Sequence, residues 1–160
     1  MDLSRGGRAA TPPSTARTQA LRRNLLAGLL LGVGAVAFLD EAVFHQLLHW
    51  HKFYDRASTE LGLVSDGLFH AFSWGATVAA LFLLGSLRRD RVVDRRRVVG
   101  GALVGAGAFQ LYDGLVQHKL LGLHQIRYEV DLLPYDLVWN ALAVALLVAG
   151  LVLVRRSARA

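Results

Sequence analysis

Residues 30–51 read LLGVGAVAFLDEAVFHQLLHWH, and residues 103–124 read LVGAGAFQLYDGLVQHKLLGLH. Laid on each other at an offset of 73, they agree at 10 of 22 positions. The matches include Gly32/Gly105, Gly34/Gly107, Ala35/Ala108, Asp40/Asp113, His45/His118 and His51/His124. At an offset of 65 the following segments align more weakly, with Asp66 on Asp131 and Trp74 on Trp139. The pattern predicts a duplicated helical hairpin. Each stretch begins as an apolar, glycine-rich helix and ends in aspartate and histidine.

Working outward, four apolar stretches are long enough to cross the roughly 30 Å of a bilayer's hydrocarbon: about 25–48, 68–87, 98–121 and 137–154. The chain is 160 residues long and 54% apolar, with long runs set between clusters of arginine. That size allows one domain, and the segregation excludes a disordered chain, a disulfide scaffold and a soluble globular fold. No cysteine is present, which removes thiolate ligands and cysteine nucleophiles. Met1 is the only methionine, so a thioether site for Cu(I) is excluded too. The expected fold is an all-α membrane protein of four transmembrane helices, with repeat one at 24–87 and repeat two at 98–154. A disordered basic tail is expected at 1–23 and a short basic tail at 155–160.

Charge sets the topology. Arg5, Arg8, Arg17, Arg22 and Arg23 precede the first span, and Arg88, Arg89, Arg91, Arg95, Arg96 and Arg97 separate the second from the third. Arg155, Arg156 and Arg159 follow the fourth. Four spans put all three clusters on one face, which the positive-inside rule makes cytoplasmic, as are both termini. The acidic residues gather toward the opposite face. The net charge of +6 is therefore read as topology and attraction to anionic lipid, with no nucleic-acid partner. Arg22-Arg23, the apolar run and Ala35-Val36-Ala37 imitate a signal peptide. Cleavage there would destroy half of one repeat, so the first span is expected to be retained. The glycines of each repeat are expected to bring spans one and three into close contact.

The histidines and most carboxylates fall near one level in the outer half of the spans, where an ionisable group costs roughly 2.5–3.5 kcal/mol at mid-helix. A convergent set of imidazoles and carboxylates without sulfur suits Zn, Cu(II), Fe or Mn. His45, His70 and His118 are the expected ligands, with Asp66 next. Asp40 and Asp113 lie five residues before His45 and His118, about 140° away on a regular helix. They are therefore expected either as ligands after distortion or as groups orienting a histidine from another helix. His51 and His124 are expected to form a shallower site or an entry funnel. Asp66, His70, Ser73 and Thr77 are expected on one stripe of the second span. Glu41, Asp55, Glu60 and Glu129 read as solvated, and Trp50, Tyr54 and Tyr128 as interfacial residues.

The runs Asp40–His51, Asp66–His70 and Asp113–His118 resemble a bacterial family of predicted four-span membrane proteins of unknown function (DUF2243). The resemblance covers about residues 25–154 and implies a membrane class without an activity. In this chain Glu41 stands where the family pattern has glycine, and Lys52 and Gln125 stand where a further histidine follows His51 and His124. These departures count against a site at the mouth and leave His45, His70 and His118 untouched.

The leading functional expectation is a His/Asp metal site, with Zn, Cu or Fe, serving metal handling or redox chemistry in a bacterial cytoplasmic membrane. Its candidate partners are membrane lipid and a respiratory or envelope metalloenzyme. The alternatives are a metal-dependent membrane hydrolase or oxidoreductase, a haem cytochrome with His45 and His118 as axial ligands, and a structural subunit. An ion conduit is disfavoured, because the inner halves of spans one and three carry only glycine and apolar residues.

Overall fold

The computed structural model describes residues 14–157. Helix α1 spans Ser14–Asp40 and runs on, without a break, into a wider π-helical segment over Glu41–Leu47. Helix α2 spans Thr59–Arg89, α3 spans Arg95–Tyr112 with a π-helical continuation over Asp113–Leu121, and α4 spans Leu133–Ser157. There is no strand among the described residues. All four helices are long and apolar enough to cross a membrane, over Thr15–Leu47, Thr59–Arg89, Arg95–Leu121 and Leu133–Ser157.

The expected tail at 1–23 is corrected in part. Helix α1 already begins at Ser14, because alanine, leucine, glutamine and arginine between 16 and 23 favour helix and the end of this segment is tied down. Arg97 donates to the Leu21 carbonyl (2.9 Å), and Arg23 donates to Ser86 (2.6 Å) and Asp90 (2.9 Å). Asn24, 1% exposed, donates to the carbonyls of Ala20 and Val92 and accepts from the Asp94 N–H. Asp94 in turn caps α3 by accepting from the Arg97 N–H at 3.0 Å. These contacts gather the start of α1, the α2–α3 turn and the start of α3 at one end. The C-terminal tail is likewise helical through Ser157, and the rest of both tails lies outside the described residues.

Helices α1 and α3 pack along their lengths, with α2 on the far side of α1 and α4 on the far side of α3. Glycine permits the central contact. A Cβ on Gly32 would lie 2.7 Å from the Ala102 carbonyl carbon and 2.8 Å from the Ala106 nitrogen, and one on Gly105 would lie 3.0 Å from Leu29 Cα. Gly34 and Gly107 serve the outer pairs instead: their Cβ atoms would lie 2.9 Å from the Ser73 carbonyl on α2 and 2.6 Å from the Ala143 carbonyl on α4. Small-residue approach of this kind is how helices associate where lipid removes the hydrophobic drive.

Polarity runs inside out. The buried apolar side chains are mostly alanines (Ala27, Ala37, Ala80, Ala106 and Ala143), whereas Leu68, Phe72, Trp74 and Phe82 on α2 and Leu133, Leu137, Val138 and Leu142 on α4 are exposed. Asp40, Glu41, His45, Asp66, Asp113, Gln117 and His118 are buried. In water such a surface would aggregate; in a bilayer it is the solvated face.

Candidate metal centre

The centre lies at the end of the bundle away from the arginine turn, where α1 and α3 widen into π-helix. A regular helix would leave Asp40 and His45 about 140° apart; with roughly 4.4 residues per π turn the separation falls to about 50°. The widening shows in the backbone: the Leu48 N–H donates to Val43, five residues back, and the Leu123 N–H to Gln117, six back, both at 2.9 Å. Gly122 ends the second segment with φ 56°, and His49, 73 residues earlier, has φ 51°. The distortion that chelation by Asp40 and His45 required is therefore present, and it recurs at Asp113 and His118.

Two three-residue sets result. Asp40, His45 and His51 each offer a donor atom within 4.8 Å of the other two, and so do Asp113, His118 and His124. All six residues are buried. His45 Nε2 lies 3.6 Å from Asp40 Oδ2, His118 Nε2 lies 3.0 Å from Asp113 Oδ2, and His124 Nε2 lies 3.6 Å from Asp113 Oδ1. None of the four Nε2 atoms of His45, His51, His118 and His124 has a hydrogen-bond partner. The rings form a row: centroids are 4.5 Å apart for His45–His51, 4.5 Å for the stacked pair His51–His124, and 4.7 Å for His118–His124.

The loops after the π segments cross over and fix this row. His51 Nδ1 donates to the Ile126 carbonyl and His124 Nδ1 to the Phe53 carbonyl, each at 2.9 Å. These bonds are reciprocal, since the offset that lays His51 on His124 also lays Phe53 on Ile126. A proton held on Nδ1 leaves the Nε2 lone pair of each ring aimed inward, the usual way a protein prepares a metal-binding histidine. Burial, reinforced by the other imidazoles, pushes the pKa of His51 down to about 2, so its ring is neutral.

His45 carries further support. Its Nδ1 hydrogen-bonds Asp66 Oδ1 (3.1 Å), and Glu41 Oε2 lies 3.0 Å from the same nitrogen without hydrogen-bond alignment. Asp66 Oδ1 also accepts from the Phe53 N–H at 2.7 Å. Glu41, His45 and Asp66 thus form a third convergent set. Across the row, Gln117 donates to Asp113 Oδ1 at 2.8 Å, and His118 Nδ1 has no partner.

Of the eight expected site residues, the structure brings together Asp40, His45, His51, Asp66, Asp113, His118 and His124. His70 is left out. The buried stripe of α2 runs Gly62, Asp66, Phe69, Ser73, Ala80, Leu87. His70 lies about 40° round a regular helix from Asp66 and falls on the flank of that stripe. There its ring meets Phe38 at 5.7 Å. His51 and His124 belong to the buried centre itself and not to a shallower mouth. Glu41 is corrected as well: expected in solvent, it is 1% exposed. Its signal was the i, i+4 spacing to His45. Gln117 carried the same signal, four residues after Asp113.

A lateral cavity of about 520 Å³ opens beside the row, lined by Phe53, Ser65, Leu68, Phe69, Phe109 and Gln117 among others. A second, of about 450 Å³, lies on the other side behind Phe44, Ile126, Pro134 and Trp139. Phe69 separates the first from His45, with ring centroids 5.6 Å apart.

Residues 27–157 match the family described as "Predicted membrane protein (DUF2243)", and the chain belongs to that family. No curated protein and no solved structure matches it.

Proposed function

We propose that this member of a predicted membrane protein family binds a divalent transition metal at the buried His/Asp centre, for metal handling or redox chemistry. The observation that carries the reading is the reciprocal pair His51–Ile126 and His124–Phe53, which spends both Nδ1 protons on backbone carbonyls. Four buried Nε2 atoms are then left without partners beside carboxylates. A buried imidazole nitrogen with no partner costs about 1–3 kcal/mol, and the fold keeps four of them buried in one centre. Nitrogen and oxygen donors without sulfur fit Zn, Cu(II), Fe or Mn. The arginine-rich end faces the cytoplasm on charge grounds, which places the centre toward the outer face of a cytoplasmic membrane. Symmetry of the two halves follows from duplication of a helical hairpin.

The residues fit the ion by donor type, burial and orientation. His45, His51, His118 and His124 would supply nitrogen ligands through Nε2, and Asp40 and Asp113 would supply carboxylate ligands. An ion bound there would supply Lewis acidity or a redox couple. Asp66 holds the Nδ1 proton of His45 with the Glu41 carboxylate close by, and Gln117 orients Asp113.

A second reading, a metalloenzyme acting on a lipid-soluble substrate, is favoured by the aromatic-lined cavity that reaches Phe69 beside His45. A bis-histidine haem fits poorly. The His51 and His124 rings, stacked 4.5 Å apart, link His45 to His118 and leave no slot for a macrocycle.

The experiment is multi-element metal analysis of detergent-purified protein that has never met a chelator, beside the His45→Ala/His118→Ala double variant. The reading predicts a stoichiometric transition metal that the variant loses. Equal, trace metal in both samples refutes it and leaves a polar packing network.

A further inference from the structure

We infer that the centre holds two divalent ions per chain, at sites of unequal affinity; the inference rests on the metal-binding reading above. Three observations carry it.

The first is convergence. Asp40, His45 and His51 close on one point, and Asp113, His118 and His124 close on another. Among the described residues, no set of three donors mixing the two halves converges in the same way. His51 and His124 stack face to face with 6° between their planes, and each leans toward the histidine of its own half, at 4.5 and 4.7 Å. One shared ion would need all four rings to point at a common centre.

The second is charge. Asp40, Glu41, Asp66 and Asp113 are four carboxylates, each at most 4% exposed. Among the described residues their ion-pair partners are histidines alone; the paired lysine and arginine, Lys119 and Arg23, sit on Asp136 and Asp90 instead. Buried carboxylates are paired or they coordinate metal. Carboxylates lie in both halves, Asp40, Glu41 and Asp66 in one and Asp113 in the other, so each half offers a divalent ion an anionic ligand.

The third is the difference between the halves. At the first site the Nδ1 of His45 is backed by Asp66 and Glu41, a carboxylate–histidine arrangement that raises the basicity of Nε2. At the second, position 114 is glycine, pressed against Trp139 and Asn140, and Asp131 is bound to the start of α4 through the Leu133 N–H. His118 Nδ1 therefore has no carboxylate behind it. The first site is the tighter one.

Stripped protein in detergent micelles is titrated with Zn²⁺ against a chromophoric chelator. Two equivalents binding in two steps are expected. Glu41→Gln with Asp66→Asn lowers the tighter constant by about 10–100-fold and leaves the weaker one in place. His118→Ala removes the weaker step only. Circular dichroism and micelle size-exclusion check that each variant is folded, and the two-step isotherm of the unaltered protein needs no variant. A single equivalent, weakened by changes in either half, overturns the inference in favour of one shared ion. Two equal steps, or loss of the tighter step in His118→Ala, overturn the assignment of affinities. No binding at all refutes the metal reading on which the inference stands.

Discussion

Gly32→Ala and Gly75→Ala make the same chemical change at two helix interiors with opposite surroundings. A Cβ on Gly32 would lie 2.7 and 2.8 Å from the backbone of Ala102 and Ala106, and a third atom of the same segment is closer still. Backbone on both sides cannot turn aside as a side chain can, so α1 and α3 must separate along their shared length. Overpacking of a filled interface costs about 1–3 kcal/mol, a factor of roughly 5–150 in the folding equilibrium. At Gly75 an added Cβ meets nothing within 4 Å. There alanine removes backbone freedom from the unfolded chain and favours helix, worth up to about 1 kcal/mol in the stabilising direction. Reversible unfolding in mixed micelles, followed by circular dichroism, measures both. The helix gain is common to both sites and cancels in the comparison, so the prediction is that Gly32→Ala is less stable than Gly75→Ala by the overpacking cost, about 1–3 kcal/mol. Equal effects would mean that α1 and α3 do not meet at Gly32, and the arrangement built on that contact would fall.

Other consequences follow from the same geometry. His70→Ala leaves bound metal unchanged while His51→Ala lowers it at least about 10-fold, read as metal per chain after dialysis; the reverse order would restore His70 as a ligand. Arg23→Ala changes stability by less than about 1 kcal/mol, because its pair with Asp90 is partly exposed (31% and 47%) and screened; a loss above about 2 kcal/mol would contradict this. In the metal-free protein, the contribution of His51 to folding stability falls on acidification. His51 stays neutral to about pH 2 when folded and takes up a proton near pH 6.5 when unfolded. Its contribution is thus present above about 6.5 and is lost as pH falls, approaching roughly 1.4 kcal/mol per pH unit below it. His51→Phe should flatten that slope in a pH series of unfolding curves, and an unchanged slope would show that His51 is not held neutral.

Much of the fold was legible because membrane helices write their length and polarity directly into the sequence. The apolar runs between arginine clusters gave four helices, and Gly32 and Gly105 marked the central contact. What failed to show was register in three dimensions. The five-residue step from Asp40 to His45 looked unfavourable because a regular helix was assumed, whereas the π-helical widening turns that step into a shared face. The step itself, kept at Asp113 and His118, was the available clue. His70 was misplaced for the converse reason: on a long straight helix the buried stripe advances by alternating three and four, and Asp66–Phe69–Ser73 passes it by. Glu41 read as solvated because position along the chain gave its depth but not its neighbours. The crossing of the loops that sends His51 to Ile126 and His124 to Phe53 joins segments far apart in the chain, and no local pattern encodes it.

The most direct test is X-ray absorption at the edge of whichever transition metal the purified protein carries. The account predicts nitrogen and oxygen neighbours at about 2.0–2.2 Å, no sulfur, and the outer-shell scattering of several imidazole rings, reduced in His51→Ala and in His124→Ala. A metal surrounded by solvent oxygen alone, or imidazole scattering unchanged in both variants, would contradict it.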